Sequence, residues 1–147
     1  MQSLPLYLLG LGVGIGVVVQ VGMNSTLRAI LGSAIVAALI SFVVGALALA
    51  AIVAVTRAPL PVRAQLAIVP AWAWLGGILG AFYVVSSVIV GPRLGTATLV
   101  ALVVLGQLGT SLLVDHFGWL GFAQHPITLV RLLGAVLLFA GVVLVVR

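Results

Sequence analysis

The chain reads as long apolar runs divided by short polar breaks. Five runs stand out, over about residues 4–23, 30–55, 71–90, 94–114 and 127–146, each near the length of about 20 residues that crosses a bilayer. The breaks between them carry helix-stopping residues. Asn24-Ser25-Thr26-Leu27-Arg28 follows the first run, and Thr56 to Arg63, with Pro59 and Pro61, follows the second. Gly91-Pro92-Arg93 closes the third, and Asp115-His116-Phe117-Gly118 closes the fourth. At about 1.5 Å per residue, such runs span a hydrocarbon core of about 30 Å. Lipid offers no partner to free backbone groups, so each run is predicted helical. The runs do not alternate with the period of two that a barrel strand needs. Trp119, Leu120, Gly121 and Phe122 read as an interfacial turn rather than a sixth span, and Trp72, Trp74 and Trp119 fall near span ends, where amphipathic rings sit. The pattern predicts an all-α membrane protein, a five-transmembrane-helix bundle forming one membrane domain over residues 1–147.

Composition strengthens that reading. The chain is 65% hydrophobic and only 5% charged, against roughly 25% charged in soluble domains. It carries six Arg, no Lys and one acid, Asp115, for a net charge of +5. The arginines are spread singly, with no basic run, so nucleic acid is not a partner; membrane lipid is. There is no Cys, and two His with one acid are too few for an ordinary metal site, so no metal or cofactor is expected. No G-x-S-x-G turn and no second acid are present, which argues against an enzyme. The first run is not expected to be a secretory signal: Met1, Gln2 and Ser3 carry no basic residue, and the run outlasts signal-peptide length.

The arginines set an expectation about orientation. Counting spans from the N-terminus, Arg57, Arg63 and Arg131 fall on the N-terminal side, and Arg28, Arg93 and Arg147 on the other. A three-to-three split gives the positive-inside rule no preference. Insertion both ways up, with antiparallel pairing, follows as one reading; the other is an orientation fixed by a partner.

Polar residues inside a span are costly unless partnered, so their spacing is informative. Gln20, Asn24 and Arg28 are spaced by four, as are Gln107, Ser111 and Asp115; Gly76, Gly80, Tyr83 and Ser87 follow at four, three and four. Three helices thus each show a polar stripe. Turned together, they would line a small-molecule site built on Gln20, Asn24, Tyr83, Gln107 and Ser111. The alternative is interhelical glue, with the serines bonded to their own helices. Asp115 reads either as an interfacial partner of an Arg or of His116, or as a proton- or cation-coupling group. Arg131 shares its predicted side. Gly10/Gly14, Gly12/Gly16, Gly76, Gly77, Gly80 and the pair Gly134/Gly141 mark faces suited to close helix packing.

Four segments carry a family resemblance. They are Q-V-G-M-N-S-T-L at Gln20 to Leu27, A-W-A-W-L-G-G-I-L-G-A-F-Y at Ala71 to Tyr83, G-Q-L-G-T-S-L-L-V-D-H-F-G at Gly106 to Gly118, and the closing R-L-L-G-A-V-L-L-F-A-G-V. Together they make the chain resemble the YdcZ-like family of the drug/metabolite transporter superfamily, over nearly its whole length. The resemblance implies a bacterial inner-membrane, multi-pass exporter of a small solute. It also implies half of a ten-helix transporter fold, completed by an antiparallel homodimer or a paired homologous subunit. Small multidrug exporters of that superfamily use a glutamate in the first helix for proton exchange. Here the first run has Gln20 and no acid, so any coupling falls to Asp115. Two rivals remain at this level. G-G-I-L-G-A at Gly76 to Ala81 resembles a motif of small dual-topology fluoride channels, without the Arg expected soon after. A non-transporting membrane partner subunit is the other.

Overall fold

The computed structural model describes residues 3–147. It is all-helical, and five of its helices are long and apolar enough to cross a membrane. The chain falls into two compact units, dividing between Val90 and Gly91.

In the first unit, α1 (Ser3–Leu31) and α2 (Ala34–Thr56) form a hairpin with a two-residue link. Gly32 takes the left-handed conformation, at φ 73°, and its N–H donates to the Arg28 carbonyl at 2.8 Å. Ser33 then caps α2, its hydroxyl accepting from the Val36 N–H at 3.3 Å. A tight stop and an immediate cap make the antiparallel turn. α2 ends as Arg57 turns left-handed and the Ala58 N–H reaches back to the Val53 carbonyl at 3.1 Å. Pro59 and Pro61 bar any continuation. A short helix, α3 (Arg63–Ala67), and a 3-10 turn over Ala71–Leu75 lead into α4 (Gly76–Leu94). α4 meets α2 through a small core of Ala38, Val84 and Val88, with Ala34, Tyr83 and Val85 around it.

The second unit is a hairpin of α5 (Thr96–Phe117) and α6 (Leu129–Val146). Gly118, left-handed at φ 65°, ends α5; a 3-10 turn at Trp119–Gly121 follows, and Thr128 caps α6 by accepting from the Arg131 N–H. The Phe117 and Trp119 rings stack, centroids 4.8 Å apart.

Three helices run past their expected ends. α1 continues through Asn24–Arg28 to Leu31, α4 through Gly91-Pro92-Arg93 to Leu94, and α5 through Asp115 to Phe117. Polar residues alone do not stop a helix when their side chains can bond to it. The Thr26 hydroxyl donates to the Gly22 carbonyl at 3.1 Å, for example. The actual stops are Gly32, Gly95 and Gly118, all at positive φ.

The glycine faces also differ from expectation. Of the glycines that mark these faces, Gly80 is the one closely packed among the described residues, where an added Cβ would stand 3.3 Å from the Phe42 ring. At Gly10, Gly12, Gly14, Gly16, Gly76, Gly77, Gly134 and Gly141 an added Cβ would meet nothing within 4 Å among the described residues. Among the described residues, neither unit by itself packs closely against these positions. Its outer surface is overwhelmingly apolar, from Leu4 on α1 to Val146 on α6. In water this would be untenable; in lipid it matches the solvent.

Candidate functional site

The six candidate residues divide by unit. In the first, Gln20 lies on α1 and is exposed, at the edge of a groove between α1 and α2 of about 300 Å³. Ser41, Phe42, Gly45, Ala46 and Leu49 line the rest of that groove. Asn24, one turn on, is 3% exposed and so faces inward. Tyr83 is half-buried beside the Ala38, Val84 and Val88 core, and Ser87, on the same helix, is buried. Gln20 and Asn24 therefore share a helix but not an environment. The four-residue spacing puts them near one line, and the close approach of the neighbouring helices begins only beyond Gln20.

In the second unit, Ser111 and Asp115 line one crevice between α5 and α6, of about 440 Å³. Leu108, Leu112, Gly134 and Ala135 form its apolar walls, and Arg131 stands with Asp115 at one end. Gln107, a turn before Ser111, is exposed and does not line it. The Ser111 hydroxyl donates to the Leu108 carbonyl at 3.0 Å, which satisfies it within its own helix.

Asp115 has the interfacial partner that its position suggested. Arg131 Nη1 lies 3.2 Å from Asp115 Oδ2, and the same nitrogen donates to the His125 carbonyl at 3.2 Å. The connector closes around this pair. The His125 N–H donates to the Asp115 carbonyl at 2.7 Å, and Gln124 Nε2 to the His116 carbonyl at 2.9 Å. His116 Nδ1 accepts from the Ile127 N–H at 3.2 Å. These bonds make the connector an ordered end-piece holding Asp115 at the mouth of the crevice. The crevice thus holds a carboxylate paired with one guanidinium, beside a serine hydroxyl and apolar walls.

One contact escaped the reading of the sequence. Arg28 Nη1, near the end of α1, donates to the Val88 carbonyl of α4 at 2.8 Å. Pro92, four residues after Val88 and inside α4, is the sequence signal for it.

A family model described as "Putative inner membrane exporter, YdcZ" covers residues 5–144. No curated protein and no solved structure matches the chain.

Proposed function

The chain belongs to the YdcZ family of inner-membrane exporters and is an integral, multi-pass protein of that membrane, and from this premise we propose that it exports a small solute by alternating access, working as two copies inserted antiparallel. The observation that carries this reading is the exposure of Gln20 and Gln107. Both lie well inside membrane-spanning helices, and both are exposed. A primary amide has two donors and an acceptor to satisfy, and leaving it in hydrocarbon costs on the order of several kcal/mol. Their faces therefore belong to a watered path or to another chain. The open glycines of α1 support a second chain, since an added Cβ at Gly10, Gly12, Gly14 or Gly16 would meet nothing within 4 Å among the described residues.

A second copy in the opposite orientation gives both amides a partner surface and brings the helix count to the ten of the larger transporters. The arginine split of three against three places no obstacle to either orientation. We assign solute contact to Gln20, Asn24 and Tyr83 in the first unit and, separately, to Gln107 and Ser111 in the second. Asp115 is the coupling group. With so little negative charge available, a neutral or amphiphilic solute suits the path as well as a cation does.

The test is a thermal-shift screen of purified protein against small neutral, cationic and anionic amphiphiles. Ligands that stabilise the wild type are expected to lose that effect in Gln20→Ala and in Asn24→Ala. Stabilisation that survives both changes removes these residues from the solute path.

A further inference from the structure

Proline within a helix deletes one hydrogen bond, the one its missing N–H would give to the carbonyl four residues earlier. In α4 the proline is Pro92 and the orphaned carbonyl is that of Val88. Val88 is fully buried, at 0% exposure. A bare carbonyl there would be expensive, because neither lipid nor the packed interior offers it a donor. The donor comes from another helix: Arg28 Nη1, in the last turn of α1, at 2.8 Å.

We infer that Arg28 is a positioning residue that supplies the hydrogen Pro92 lacks, so that a single releasable side-chain bond from α1 holds the proline turn of α4. The match is specific. Of the carbonyls of α4, Arg28 takes the one that the proline frees. The boundary between the two compact units falls at Gly91, next to that proline. Gly91, which lacks a side chain, and Pro92, which lacks a donor, make this the place where the backbone ladder of α4 is interrupted. A backbone N–H in this place would be a permanent part of the helix. A guanidinium on a flexible stem can leave the carbonyl and return, or exchange it for another acceptor. The turn at Val88 to Pro92 is thus a joint whose closed state is set by α1. This inference goes beyond the export reading and does not depend on it.

The ordinary explanation of Arg28 is attraction to the negative end of α1, where basic residues are favoured. The two explanations part company when Pro92 is replaced. Pro92→Ala restores the backbone donor to Val88 and leaves the end of α1 untouched.

The experiment is a double-mutant cycle on the full-length protein in detergent, with Arg28→Met, Arg28→Lys and Pro92→Ala. Unfolding equilibria and hydrogen exchange of the amides from 89 to 95 are the readouts. In the Pro92 background, Arg28→Met is expected to weaken folding by about tenfold or more, the worth of a bond to a charged donor, and to speed exchange in that turn. In the Pro92→Ala background the same change is expected to cost less than about threefold and to leave exchange slow. Arg28→Lys, which keeps a donor, should preserve most of the wild-type protection. Should Arg28→Met fail to fold alone, its rescue by Pro92→Ala supports the inference just as the cycle would. Equal losses in both backgrounds, or a double variant that also fails to fold, overturn the inference.

Discussion

Asp115→Asn separates structure from coupling, because it removes a charge and keeps the shape. The pair that it breaks is partly open to solvent. Arg131 lies 3.2 Å away, with side-chain exposures of 40% for Arg131 and 29% for Asp115. Unit charges about 4 Å apart are worth about 1 kcal/mol in bulk water, and exposed pairs measured in cycles give about 0.2–1 kcal/mol. Arg131 keeps its bond to the His125 carbonyl, and the backbone bond from His125 to Asp115 does not use the carboxylate. The expected loss is therefore about 0.5–1 kcal/mol, or roughly 1–4 °C in thermal unfolding for a chain of this size. The effect on transport should be far larger. In proteoliposomes loaded with a stabilising ligand from the thermal-shift screen, wild-type flux should respond to an imposed proton or cation gradient, and Asp115→Asn flux should not. A stability loss above about 3 kcal/mol would show a buried structural ion pair instead. Flux that answers the gradient as strongly in Asp115→Asn as in the wild type would remove the carboxylate from coupling.

Other changes test the fold and the path separately. Gly80→Leu should separate α4 from α2, since even a Cβ there stands 3.3 Å from Phe42; a loss of about 1–3 kcal/mol is expected, with partial recovery in Gly80→Leu/Phe42→Ala. Gly118→Val should cost about 1–2 kcal/mol, because Gly118 sits at φ 65° with Gln124 Cβ 3.4 Å from where its own Cβ would be; unchanged unfolding would argue against this α5 stop. Gln107→Leu should change the stability of the single chain little, since the side chain is exposed on its own helix, while flux falls; flux at the wild-type level would place Gln107 outside the solute path.

Much of the architecture could be read from hydropathy, because in a bilayer the solvent itself imposes long apolar helices. The ends were harder. Asn24, Thr26 and Asp115 look like breaks by polarity, yet a helix carries them when a hydroxyl bonds its own backbone or a carboxylate meets Arg131. What ends these helices is backbone conformation at Gly32, Gly95 and Gly118. Gly118 lies in a predicted break, whereas nothing in the sequence sets Gly32 and Gly95 apart from the other glycines. Of the residues joined by the polar stripes, Ser111 and Asp115 share a crevice, whereas Gln20 is exposed and Asn24 buried. Four-residue spacing fixes a line along a helix and says nothing of where along that line a neighbour approaches. The Arg28 contact with Val88 spans 60 residues of chain. Only Pro92 announced that Val88 would need a donor, and nothing local named Arg28 as the source.

The pairing of two opposed copies is tested most directly by the side on which the connectors lie. The chain has no cysteine, so Ala58→Cys, exposed in the connector after α2, gives a single label site, and Arg147→Cys gives one on the predicted opposite side. Each variant is treated with a membrane-impermeant maleimide in spheroplasts, then again after permeabilisation. Antiparallel pairing predicts that about half of each is labelled before permeabilisation, and all of it afterwards. Complete labelling of one variant with none of the other would show a single orientation and contradict an antiparallel pair of identical chains.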